Sequence, residues 1–160
     1  MPDTDLNLRP ASMADRELFW RLAQTMRAYV DATWGWDDAD QQARFAGSFD
    51  PAVFQVIEHA GMAIGGLRVD LTGSPVRLLN IQVLPAFQRR GYGSRVIRHV
   101  LVQAGTRQVW LQVLKVNPAR ELYERLGFTV TGSTTTHWHM LRDPCGVMGS
   151  LSRPGAASTR

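Results

Sequence analysis

A single cysteine, Cys145, and a single lysine, Lys115, stand in a chain of 160 residues. One thiol excludes an internal disulfide and any metal site built from several cysteines of one chain, which fits a reducing compartment. The other basic residues are all arginine, and they outweigh the acidic ones only to a net charge of +4. No run of like charge exceeds two residues, and the one local basic cluster is Arg89, Arg90, Arg95 and Arg98. The charged stripe of a nucleic-acid binder is thus missing, and no nucleic-acid partner is expected. No apolar stretch approaches the roughly 18 residues of a membrane span, and residues 1–9 lack the basic-then-apolar order of a signal peptide. A cytoplasmic protein with no membrane association is the expectation. What is present is ordinary for a globular chain: 44% hydrophobic and 20% charged residues, at a length that suits about one domain.

Leu6 and Leu8 alternate with polar neighbours, as in a short strand. Ser12, three residues before Asp15, reads as a capping box at a helix start. Leu18, Leu22, Met26 and Tyr29 recur at helical spacing and predict one apolar helix face up to about Val30. Trp34-Gly35-Trp36 breaks that pattern, and Asp37 can cap a second, more polar helix that stops before Asp50-Pro51. Val53 to Ile57 and Met62 to Leu71 predict strands around a turn at Ala60-Gly61. In the next strand, Val76 to Leu84, the apolar Leu79, Ile81 and Val83 share one face while Asn80 and Gln82 share the other. Two amides in that position suggest a strand edge looking into a polar cleft. Ile97, Val100, Leu101 and Ala104 predict a helix, Val109 to Leu114 a strand, and Asn117-Pro118 the start of a short helix that Gly127 ends. Phe128 to Thr131 and Thr134 to Leu141 complete the pattern as a strand pair. Residues 1–142 therefore form the domain, and 143–160, rich in Gly, Ser and Pro, form a tail.

The most informative stretch is Gln88-Arg89-Arg90-Gly91-Tyr92-Gly93-Ser94, where a strand stops, turns through two glycines and opens a helix. Free N–H groups at a helix N-terminus, with the positive end of its dipole behind them, bind phosphate oxygens, and glycine allows close approach. Arg89 and Arg90 add charge. No Gly-Lys-Ser/Thr follows, so this is not a Walker loop, and no third glycine lies three residues after Gly93, which excludes the dinucleotide fingerprint.

Gln-x-x-Gly-x-Gly after a Val-x-Pro strand end resembles the acetyl-CoA diphosphate loop of the GNAT superfamily of N-acetyltransferases. The stretch from Asn117 to Phe128, with Asn117, Leu122, Tyr123, Gly127 and Phe128, is similar to that family's second signature, and the resemblance covers roughly Leu6 to Arg142. It implies an α/β domain of the GNAT fold: a mixed, mostly antiparallel sheet of six or seven strands, a central splay between the strands ending at Leu84 and starting near Val109, and helices on both faces.

For function, the resemblance implies acetyl-CoA as co-substrate and direct transfer of its acetyl group to a primary amine of a small molecule or peptide. The backbone of Ile81 and Val83 would bind the pantetheine arm, with the Val83 N–H as oxyanion donor. The amides and side chains of Gln88, Arg89, Arg90, Gly91, Tyr92, Gly93 and Ser94 would hold the diphosphate. Asn117 would contact the arm, and Tyr123 would both touch the cofactor and protonate the leaving thiolate. Trp34 and Trp36, with Asn80, Gln112 and His137, are the candidates for the acceptor site. Family enzymes that acetylate the N-terminal alanine of a ribosomal protein carry a glutamate base at the position matching Gln112, and an amide cannot take a proton. Glu58, Asp70, His137 or a water chain through Asn80 and Gln82 then remain as routes for the proton. His137 and His139 share a strand face, but with no third ligand evident no metal is expected. A homodimer is compatible with the resemblance. An acyl-CoA sensor without catalysis is the alternative that Gln112 permits, and an RNA-associated protein using the four clustered arginines is a third, weaker reading.

Overall fold

The structure is a computed structural model that describes residues 5–144, so the tail lies outside the described residues except for Asp143 and Pro144. Ser12 starts the first helical segment as its spacing predicts. Its hydroxyl accepts the Ala14 N–H at 3.2 Å while the Asp15 carboxylate accepts the Ser12 N–H at 2.9 Å, so two orphan donors are satisfied reciprocally. The single helix expected up to Val30 is instead two, α1 at Arg16–Gln24 and α2 at Arg27–Trp34. Thr25 is the cause. Its hydroxyl takes the Leu22 carbonyl, and Thr25 and Met26 donate to carbonyls three residues back, a tightening that ends one helix before Met26 opens the next. Asp37 caps α3 (Asp38–Ser48) by accepting the Asp40 N–H at 2.8 Å.

Strands β1 (Leu6–Pro10), β2 (Gln55–His59), β3 (Met62–Asp70), β4 (Val76–Val83), β5 (Val109–Leu114), β6 (Thr129–Ser133) and β7 (His137–Arg142) form a seven-stranded sheet in the order β1-β2-β3-β4-β5-β7-β6. The pairs β1/β2, β2/β3, β5/β7 and β6/β7 are antiparallel, and β4/β5 is parallel. Helices α4 (Tyr92–Ala104) and α5 (Ala119–Arg125) complete the chain. Strand β2 begins two residues later than its apolar run suggests, because Asp50 accepts the Ala52 N–H and Pro51 opens a short 3-10 turn that leaves Val53 exposed. The β4/β5 ladder pairs Val76 with Val109 and Arg77 with Trp110.

Two compact units share these elements. The first contains the chain up to Val69 together with Leu79–Gly93. Its core is Phe19, Leu22, Val56 and Leu84, against which Phe45, Phe49 and Phe54 pack. Phe19 lies 4.8 Å from Phe54 and 5.5 Å from Phe49, ring centre to ring centre. Glycine makes this packing possible: a Cβ at Gly66 would fall 2.4 Å from the Phe19 ring, and one at Gly65 would fall 2.4 Å from the Gln82 carbonyl oxygen. The second unit contains Asp70–Leu78 and the chain from Ser94 onward. Val96, Ile97, Val100, Val109, Leu111, Phe128 and Met140 are buried there, and Arg107 holds the turn after β3 through the Leu71 and Gly73 carbonyls. Among the described residues, no helix is long and apolar enough to cross a membrane.

Candidate functional site

The strand-to-helix loop takes its shape from its own backbone. Leu84 donates to the Ile64 carbonyl, and Pro85–Phe87 turns once as a 3-10 helix. The Gln88 side chain then reaches back to the Val83 carbonyl at 2.9 Å. After that lock, Arg89 sits at φ +64° and Gly91 at φ +86°, with Arg90 between them outside the left-handed region. Left-handed residues at alternate positions are a feature of backbone nests, whose N–H groups can gather round an anion. A left-handed arginine is costly, and such strain concentrates at functional sites. The Arg89 and Gly91 amides have no acceptor among the described residues, and a Cβ on Gly91 would meet nothing within 4 Å. These two N–H groups are therefore available to an anion such as a diphosphate. Arg89 and Arg90 are exposed, Arg90 lying 5.7 Å from the Phe87 ring. Tyr92 is buried and anchors the helix start, with its hydroxyl 3.3 Å from His59 Nδ1. Gly93 and Ser94 are half-buried in the first turn of α4, where N–H groups lack intrahelical acceptors.

A second feature of the first unit is a pocket of about 320 Å³ under α1, α2 and α3. Phe19, Trp20, Met26, Trp36, Phe45 and Phe54 supply its apolar wall, while Arg68, Asn80, Gln82, Gln41 and Arg44 supply polar groups. Trp36 and Asn80, from the predicted acceptor set, meet here. Trp36 is fixed by its indole N–H to Asp38 at 2.7 Å and by the Arg27 guanidinium 5.4 Å from its ring. Trp34 does not line this pocket and is 61% exposed. Ile81 and Val83, on the same strand as the two amides, are half-buried. Among the described residues, no Asp, Glu or His lines the pocket. Glu58 is held by Arg9 at 2.7 Å and Asn7 at 3.2 Å, and the Arg9 guanidinium keeps its carboxyl below the usual range, which makes it a weak base. Arg9 also bonds Asp15, so the three groups form one network. Asp70 accepts from the Thr72 N–H at 2.9 Å and from its hydroxyl at 2.6 Å.

In the second unit, Pro118 holds the N-cap position of α5, one residue later than the spacing predicts, and Asn117 before it accepts the Ala119 N–H at 2.9 Å. Tyr123 is half-buried with its ring edge-on to Phe128 at 5.9 Å, and its hydroxyl has no hydrogen-bond partner among the described residues. Desolvation pushes the phenol up to about 12. Gln112 is exposed on β5. His137, bonded to the Thr136 hydroxyl at 2.8 Å, titrates below the ordinary imidazole value because burial and then the neighbouring His139 disfavour its charge. Among the described residues no group of three or more His, Cys, Asp or Glu could hold a metal. Sequence reasoning missed Arg68 and the phenylalanine wall. Arg68 interrupts an otherwise apolar strand, which is a signal, but nothing in the order of residues shows what it faces.

A family model described as Acetyltransferase (GNAT) domain matches residues 50–130. A curated [ribosomal protein bS18]-alanine N-acetyltransferase from Haemophilus influenzae is 39% identical over 54 residues, which is 32% of this chain. The matched segment spans only 37% of that relative's length. Among solved structures, a PaiA N-acetyltransferase from Thermoplasma acidophilum in complex with coenzyme A superposes with a TM-score of 0.69 at 14% identity, over 86% of this chain and 98% of that one. The ribosomal-protein-S18-alanine N-acetyltransferase from Escherichia coli gives 0.61 at 20% identity, over 86% and 93%.

Proposed function

For a chain that belongs to the GNAT acetyltransferase family, we propose acetyl-CoA-dependent transfer of an acetyl group to a primary amine of a small molecule or peptide. The observation that carries this reading is the pair of left-handed residues Arg89 and Gly91, whose N–H groups have no acceptor among the described residues and which lead into the start of α4. Bound acetyl-CoA supplies the activated thioester. The amides from Arg89 to Ser94 bind its diphosphate, the Gln88 N–H being taken by the Pro85 carbonyl while its side chain locks the loop, and Arg89 and Arg90 screen the charge. The backbone of Ile81 and Val83 aligns the pantetheine arm, the Val83 N–H is offered to the acyl oxygen, and the free N–H₂ of Asn117 is available to the same arm. Tyr123 remains protonated at any working pH, since its phenol lies near 12, and donates a hydrogen bond to the leaving sulfur. The amine binds in the pocket lined by Trp36 and Asn80, and its proton leaves by water through Asn80 and Gln82, because Glu58 and Asp70 already have partners. Neither Gln112 nor Trp34 is needed for this route, and His137 enters it only as a neutral group. In the balanced reaction, amine and thioester give amide and thiol.

Release of free thiol from acetyl-CoA, followed with DTNB across amines and peptides, tests the reading. Acceptor-dependent release supports it. Tight CoA binding with no release on any acceptor favours the second reading, a non-catalytic acyl-CoA sensor, which the absence of a carboxylate from the pocket lining among the described residues favours. A homodimer and a cytoplasmic setting complete the proposal.

A further inference from the structure

The pocket of the first unit is an unusual site for a cationic amine. Among the described residues its charged lining is two arginines, with no acidic residue to offset them. Arg44 is exposed and already bonded to Asp40 at 2.7 Å. Arg68 differs. It is half-buried on β3, forms no ion pair among the described residues, and has only the Phe54 ring, 5.8 Å away, beneath its guanidinium. A half-buried guanidinium with no carboxylate partner among the described residues keeps its donors available, and its planar fork suits a carboxylate from outside. Asn80 and Gln82 add side-chain amides to the same lining. The rest of the wall is aromatic or aliphatic, and about 320 Å³ is at the small end of the roughly 300–1,000 Å³ of small-molecule sites.

From this we infer that the acceptor carries a carboxylate beside its amine: an amino-acid-like molecule with a large apolar or aromatic side chain, the carboxylate on Arg68 and the side chain against Phe19, Trp20, Phe45 and Phe54. The inference rests on the acyl-transfer reading for its use of the word acceptor, but binding tests it separately. Trp20 and Trp36 line the pocket, so tryptophan fluorescence reports occupancy without turnover. The probes are N-acetylphenylalanine and N-acetylphenylalaninamide, which differ only in the charged group. The acid should bind at least about tenfold more tightly, the usual scale of a charge-assisted hydrogen-bonded pair. Arg68→Gln should remove that preference by weakening the acid far more than the amide, and Arg68→Lys should restore part of it.

Equal affinity for acid and amide in the unsubstituted protein overturns the inference, as does a preference that survives Arg68→Gln. If Arg68→Gln fails to fold, raising salt on the unsubstituted protein takes its place: the acid's advantage should shrink, and an advantage indifferent to salt overturns the inference. Preference for the acid with no thiol release on any amine keeps the inference and removes the transferase reading. Thiol release that is faster with polyamines or with amide-terminated peptides than with phenylalanine does the reverse.

Discussion

The loop at Gln88–Ser94 and the pocket under α1–α3 offer opposite ways of making a site. The loop works through its main chain: a side-chain lock from Gln88 to Val83, two left-handed residues and a helix start produce unsatisfied amides within seven consecutive positions. The pocket is lined by residues drawn from positions 19 to 82, on separate helices and strands. The difference teaches that a short motif can encode an anion site, whereas specificity for the other substrate is distributed and changes with any residue on the wall.

The largest expected effect tests the main-chain half of this contrast. Gly91→Val forces a β-branched residue to φ +86° and should weaken acetyl-CoA binding by roughly several hundredfold, the loss of two charge-assisted hydrogen bonds, without changing the melting temperature by more than a few degrees. Calorimetric titration checks it, and unchanged affinity would mean that the loop does not hold the cofactor. Next in size, Tyr123→Phe should lower kcat by roughly 100-fold with little change in acetyl-CoA affinity, since a general acid acts on the reaction and not on the ground state. With the phenol near 12, the pH–rate profile should show no basic limb from this residue below about pH 10. Stability has the matching sign. The unfolded phenol ionises at about 10 and the folded one later, so the stability it supports is lost as pH rises from 10 toward 12.

Gly65→Ala probes the pocket's frame. A new Cβ would press on the Gln82 carbonyl at 2.4 Å, and because that neighbour is backbone the cost should be about 2–3 kcal/mol in denaturant unfolding. Gly66→Ala meets the Phe19 side chain at the same distance and should cost less, about 1–2 kcal/mol, because a ring can shift. If the order were reversed, the close approach of β4 to β3 would not be what the glycine protects.

The smallest effect concerns the Asp15–Arg9–Glu58 network. Both carboxyls are held below their usual values by Arg9, so the stability they contribute is complete above the unfolded range and is lost as pH falls through their folded values, below about pH 4. Arg9→Met should flatten this acid limb, at a cost of about 1 kcal/mol at pH 7 for the partly exposed Asp15 pair. An acid limb of undiminished slope would assign the pH dependence to other groups.

Several parts of the architecture were legible because they depend on near neighbours. The Ser12–Asp15 capping box, the Asp37 cap and the Asn117 bond to Ala119 each need a polar side chain and an amide two or three residues away, which the order of residues displays. The division of the first helix was not legible. Thr25 is tolerated in a helix, and only the actual bond of its hydroxyl to Leu22 shows that the turn tightens there. In the acceptor set, Trp36 and Asn80 share the pocket while Trp34 is turned to solvent, although the two tryptophans flank a single glycine. Gly35 at φ +87° redirects the chain between them.

From its order of residues alone, this protein has its strand-loop-helix anion site, its two family signatures and its punctuation by caps and glycines, because local backbone geometry obeys short-range rules. Only the tertiary structure decided that, among the described residues, Arg68 stands without a carboxylate beside Asn80, Gln82 and a wall of phenylalanines. Those residues come from separate helices and strands and meet solely through packing, which no spacing along the chain expresses.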